Sequence, residues 1–129
     1  MIVSLHVATG AAGGALVRSR LAAVPLGLLL HGVGDRIPHQ DIKSRRFEKL
    51  SGVGGLLLLA ATRGPTDPAL VGALAASAPD IEHVLRLPRP GGRKLFPTHR
   101  FAGWHRSGGL PATTQVFAAG VILGLLVRR

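Results

Sequence analysis

Residues 108–127, GGLPATTQVFAAGVILGLLV, run for twenty positions without a charged side chain. A helix of that length spans the roughly 30 Å hydrocarbon core of a bilayer, so this stretch decides the expected fold. Four further apolar segments precede it, over about 2–17, 21–35, 50–62 and 68–85. They are shorter, and those at 21–35 and 50–62 suit only a thin bilayer or a partly re-entrant path. Gly10, Gly13 and Gly14 give the first segment a small-residue face for close helix packing. Pro68 is placed for the first turn of the fourth.

Composition points the same way. Of 129 residues, 47% are hydrophobic but only 4% aromatic, and 18 are Gly. Leu and Ala packed against Gly suit helices that approach closely in lipid. Against this, the absence of Tyr and the single Trp leave the usual interfacial aromatic belt nearly empty. The expected fold is all-α: a compact polytopic membrane bundle of four to five helices, forming one domain over 1–129. The alternative is a soluble helical bundle with very apolar helices.

The formal charge of +10 admits nucleic acid, anionic lipid or topology control as its reason. If all five segments cross, Arg36, Lys43, Arg45, Arg46, Lys49 and the six basic residues between Arg86 and Arg106 share a side with the N-terminus. Eleven of the sixteen basic residues then lie together, which makes that side cytoplasmic and the location the inner (plasma) membrane. The charge then needs no nucleic acid, and no basic-aromatic stacking pattern is present. Membrane lipids are the expected partners. No basic region precedes the first apolar stretch, so no cleavable signal peptide is expected.

The same layout gathers all six histidines, His6, His31, His39, His83, His99 and His105, on one side. Long loops collect polar residues, which accounts for His39, His99 and His105. His6, His31 and Asp35 lie in or at the edge of apolar segments, where an ionisable group is costly and a functional candidate. With no Cys, any metal must be bound by imidazole and carboxylate. His31-Gly-Val-Gly-Asp35 has i, i+4 spacing, so both side chains share one helix face. They can bind one metal, or Asp35 can orient His31, or the pair can simply close a helix end. Pro79-Asp80-Ile81-Glu82-His83 puts three potential ligands in four residues. It can also be a solvated terminus, although acids there oppose the helix dipole. Thr98-His99-Arg100-Phe101-Ala102-Gly103-Trp104-His105-Arg106-Ser107 holds two His six apart. A loop can fold them onto one ion, or Phe101 and Trp104 can anchor it in headgroups.

These islands together resemble a bacterial inner-membrane family of metal-dependent hydrolases. Leu5-His6-Val7-Ala8-Thr9-Gly10 is similar to its early His followed by small residues. Pro79 to His83 is similar to its Pro-Asp-x-Asp-His stretch, with Glu82 in place of Asp. His99-Arg100 through His105-Arg106-Ser107 is similar to its His-Arg-Gly-x-x-His-Ser stretch, with one extra residue before the second His and another before Ser. His31 and Asp35 match its His-x-x-x-Asp pair, which here comes second and in the family usually last. The resemblance implies a membrane-embedded metal site and touches about a quarter of the chain.

The expected function is a metal-dependent hydrolase acting on a lipid or other phosphate-containing substrate. His6, His31, Asp35, Asp80, His83, His99 and His105 are the expected ligands and their supports, and zinc or manganese the expected metal. Glu82 is the expected general base toward a water that the metal activates. Arg100 and Arg106 are expected to hold the phosphate. Two rivals stand beside it: a non-catalytic membrane protein with a structural polar cluster, and a soluble basic helical protein that binds anionic partners.

Overall fold

The computed structural model describes residues 1–84 and 87–128. Leu85, where the fourth apolar segment was expected to end, and Arg86 and Arg129, counted among the basic residues above, lie outside them. Five longer helices build the fold: α1 (Val3–Val17), α2 (Arg20–Arg36), α3 (Arg45–Arg63), α4 (Pro68–Ser77) and α7 (Ala112–Val127). Two one-turn helices, α5 (Ile81–Val84) and α6 (Pro97–Arg100), lie between α4 and α7.

Helix boundaries follow local chemistry. Ser19 and Ser44 cap α2 and α3 by accepting from the backbone N–H of Ala22 and Phe47, each at 3.3 Å. Asp67 accepts from Ala69 N–H at 2.7 Å, with Pro68 at the first helical position. α4 stops at Ser77 because Pro79, without an N–H, ends the regular hydrogen-bond ladder. The chain continues as a 3-10 turn, Ala78–Asp80, and then α5.

α1 is the central helix. It has no polar face, and residues on every side of it are buried, from Ser4 and Leu5 to Gly13 and Gly14. α2, α3, α4 and α7 pack around it. The tightest crossing joins α1, α2 and α4. A Cβ on Gly72 would run into the backbone oxygen of Gly10, and one on Gly27 would stand 2.6 Å from the Gly72 oxygen. Gly13 instead faces Leu26 and Leu30 of α2. The core is built largely of Ala and short aliphatics: Val7, Ala8, Ala11, Ala69, Ala73 and Ala119 are buried beside Leu59 and Leu70. Many large apolar side chains therefore remain on the outside, with Leu21 89% and Phe117 72% exposed.

The fold is helical, but the polytopic membrane bundle is corrected. Among the described residues no helix is long and apolar enough to cross a membrane. The stretch at 108–127 does not form one helix. Gly108 and Gly109 take positive φ angles, Leu110 N–H donates to the Pro38 oxygen at 2.9 Å, and the helix starts only at Ala112. Its 16 residues measure about 24 Å, short of the roughly 30 Å core of a bilayer. α3 reaches 19 residues, but charged Arg45, Arg46, Glu48 and Lys49 lie among its first five, where a basic loop was expected. The transmembrane layout, the inner-membrane location and the cytoplasmic placing of the basic loops fall with that finding.

The Gly72 crossing makes a direct prediction. Gly72→Ala lowers stability by about 2 kcal/mol or more, because the backbones must separate. Gly54→Ala in α3 meets nothing within 4 Å and raises stability by up to about 1 kcal/mol. Urea unfolding followed by circular dichroism measures both.

Candidate metal centre

The histidines do meet, at one end of the helix bundle. α1 brings His6, one turn in. The last turns of α2 bring His31 and Asp35 on one face, as their spacing requires. The following loop adds His39 and Asp41. The break at Pro79 turns Asp80 inward, α5 carries Glu82 and His83, α6 carries His99, and the loop after it His105. The His6 and His31 rings stack at 4.1 Å, while His83 and His99 meet edge-on at 4.4 Å.

Backbone contacts hold the two loops in register. Arg106 N–H donates to the Asp35 oxygen at 3.3 Å, His39 N–H to that of Arg106 at 3.2 Å, and Gln40 N–H to that of Leu110 at 3.0 Å. Gln115, fully buried on α7, donates to the Gln40 and Leu110 oxygens and accepts from Ile2 N–H. Trp104 is a strut here and not an anchor in headgroups: its indole N–H donates to the Gly32 oxygen at 3.0 Å, and Arg36 lies over its ring.

Asp35 is the hub, and it is only 1% exposed. Ring orientation around it follows from each ring's outer contact. His31 Nδ1 faces the Ala76 backbone oxygen at 2.8 Å. An oxygen there can only accept, so Nδ1 carries the hydrogen, and in the neutral ring Nε2 offers a lone pair. His99 Nδ1 donates to Glu82 Oε1 at 2.6 Å, so in the neutral ring Nε2 likewise offers a lone pair. Glu82 is held in turn by Leu95 N–H on Oε2 at 2.8 Å.

Both lone pairs point at acceptors. His31 Nε2 lies 3.1 Å and His99 Nε2 3.5 Å from Asp35 Oδ2, and His99 Nε2 lies 3.6 Å from Asp80 Oδ1. His31 Nε2, Asp35 Oδ2 and Asp80 Oδ2 are buried without a hydrogen-bond partner among the described residues. Acceptors that crowd together unbonded need positive charge between them. Ligands about 2.1 Å from a tetrahedral zinc ion stand about 3.4 Å apart, which is the observed spacing. The donor set therefore fits a metal ion. Protonating both rings would instead put two imidazolium ions on one carboxylate already approached by the Met1 amino nitrogen at 3.1 Å. His31, Asp35 and His99 form one group able to hold an ion, and His6, His31 and Asp80 another. Asp80, His83 and His99 form a third, and Asp35, His39 and His105 a fourth.

The electrostatics fit a charge-starved pocket. Burial pushes the Asp35 carboxyl up, but His31, His6 and His99 outweigh it and hold it far below the usual range. Burial lowers His6 to about 3, so it is neutral and donates through Nε2 to Asp35 Oδ1 at 3.2 Å. Burial likewise lowers His83 to about 4, helped by His99 and Lys94. Burial raises Asp80 to about 6, against the pull of His31. His99 is raised despite burial, through Asp35 and Glu82.

The expected ligands thus come together, but other expected roles sit differently. Both oxygens of Glu82 are engaged in holding His99 and the chain at Leu95. Arg100 and Arg106 are exposed and lie outside the cleft of about 490 Å³ that opens over the centre. Arg45, Lys49 and Lys94 line that cleft instead. His39 and Asp41 also belong to the cluster. Their short spacing, just after the His31–Asp35 pair, was the only sign of it in the sequence.

No family model matches the chain, and no curated protein or solved structure matches it.

Removing the carboxylate that fixes the His99 ring weakens a metal site without touching a ligand. Glu82→Gln lowers zinc affinity by about 10- to 100-fold, as read by competition with a chromogenic chelator.

Proposed function

We propose that this chain is a divalent-metal-dependent hydrolase acting on a phosphate-bearing substrate. The observation that carries the reading is the convergence of two oriented imidazole nitrogens, Nε2 of His31 and of His99, at one oxygen of buried Asp35. Resemblance of the His6, His31–Asp35, Pro79–His83 and His99–Ser107 islands to the metal-dependent hydrolase family supports it. Imidazole nitrogen mixed with carboxylate oxygen suits zinc or manganese.

His31, His99 and Asp35 hold the ion, and His6 and Glu82 orient Asp35 and His99 through hydrogen bonds. When bound, the ion supplies Lewis acidity toward a phosphoryl oxygen and lowers the pKa of water toward neutrality. Asp80 lines the cleft and keeps Oδ2 unpartnered among the described residues. It takes the proton of the attacking water there, the role the sequence suggested for Glu82. Arg45, Lys49 and Lys94 line the cleft and bind the phosphate oxygens through charge-assisted hydrogen bonds.

A second reading rests on the same rim and the net charge of +10. There the basic residues bind an anionic partner and no bond is broken.

Elemental analysis and turnover of a chromogenic phosphate ester test the proposal. Purified chain is expected to retain zinc or manganese and to lose it in His31→Ala and His99→Ala. Asp80→Asn is expected to keep the metal but lower kcat about 10²- to 10⁴-fold. Metal binding without turnover, with inorganic phosphate still bound, would favour the second reading. A wild-type chain that binds no metal would end the first.

A further inference from the structure

We infer that the centre holds two divalent cations, with Asp35 shared between them. This rests on the metal-dependent reading above and extends it with a second position, formed by Asp35 Oδ1, His39 and His105.

Asp35 presents its two oxygens to different neighbours. Oδ2 faces His31 and His99. Oδ1 accepts from His6 Nε2 at 3.2 Å and also faces the other loop, with His105 Nδ1 at 3.9 Å and the Met1 amino nitrogen at 3.1 Å. His39 is the telling residue there. It is 1% exposed, in a loop where an imidazole with no task would turn to water. Its Nδ1 donates to the Ile37 oxygen at 2.6 Å, so Nε2 carries a lone pair. That lone pair meets the Met1 amino group, with the Asp41 carboxylate 3.3 Å away. His105 Nε2 lies 3.5 Å from the other Asp41 oxygen. The His39 and His105 rings meet edge-on at 4.5 Å. Ligand atoms of Asp35, His39 and His105 all fall within 4.8 Å of one another.

The ring logic of the first position is thus repeated. A backbone oxygen sets the tautomer on the outer nitrogen, and the inner nitrogen is aimed at carboxylates. The Met1 amino nitrogen stands against His39 Nε2 and Asp35 Oδ1, so this spot already draws a positive group. A second cation there displaces that ammonium from Oδ1, or binds it as a nitrogen donor once its proton is released to solvent. Paired cations sharing a carboxylate clamp both the attacking and the leaving oxygen of a phosphoryl transfer, which fits the basic rim of Arg45, Lys49 and Lys94.

The test uses the full chain stripped of metal and reloaded with manganese(II) alone. Ions per chain are counted by elemental analysis, and electron paramagnetic resonance reports spin coupling between neighbouring ions. The wild-type chain is expected to bind two coupled ions. His39→Ala and His105→Ala are each expected to bind one uncoupled ion. The His105 side chain is 39% exposed, so its loss leaves the fold intact even if the buried His39 does not tolerate removal. One ion in the wild-type chain overturns the inference and leaves the single-metal reading standing, with the Met1 amine as the second positive group. No ion at all overturns both. Two ions retained in both variants overturn the assignment to His39 and His105.

Discussion

A single buried carboxylate organises this protein. Asp35 is cut off from water, and an isolated carboxylate in such a place costs several kcal/mol. The chain offsets part of that cost through the His6 ring N–H and the Met1 amino group on one oxygen, while the rings of His31 and His99 face the other. These groups come from α1, α2, α6 and the start of the chain, so the position of Asp35 constrains all of them together. Glu82 and the Ala76 backbone oxygen act one step further out. They settle which nitrogen of His99 and His31 bears hydrogen, and so turn a polar cluster into a directed one.

That arrangement depends on close backbone approach elsewhere. α4 can deliver the Ala76 oxygen to His31 only because Gly72 lets it lie directly on α1 and α2. Three residues past Ala76, Pro79 halts the helix and redirects the chain, which turns Asp80 and Glu82 toward the centre. On the opposite flank, the loop carrying His105 is laced to residues 35–40 by main-chain hydrogen bonds, and Gln115 ties that lacing to α1 and α7. Side chains at the centre are thus placed by rigid backbone contacts and not by long flexible stems.

Much of this was legible in the sequence, and the misreadings share a cause. Helicity and the Gly10–Gly14 packing face follow from composition and spacing. The meeting of the histidines also follows from their placement near segment ends, even though the bilayer that suggested it is absent from the outcome. Hydrophobicity alone misled. Residues 108–127 carry no charged side chain, yet Gly108 and Gly109 make a turn that pairs with Pro38, a contact no local pattern reveals. Arg45 to Lys49 looked like a basic loop because their charge hid a Ser44-capped helix start. Glu82 was read as a base because it lies among ligands in sequence. Only the fold shows that its oxygens are already occupied. His39 was passed over as a loop residue, since its burial depends on strands of chain sixty-odd residues away.

The residues around Asp35 run from His6 to His105, nearly the whole length of the chain. Few of them are neighbours in sequence, so most of their contacts close long loops, and such contacts form late in folding because loop closure must precede them. The cluster is therefore a checkpoint on completeness: α1 supplies His6 and the 99–105 stretch supplies His99 and His105, so its full set needs both. Anything that binds only the assembled cluster stabilises the entire fold by mass action, by about 1.4 kcal/mol for each tenfold excess over its dissociation constant. The supply of such a ligand would then set the persistence of the folded chain as a whole.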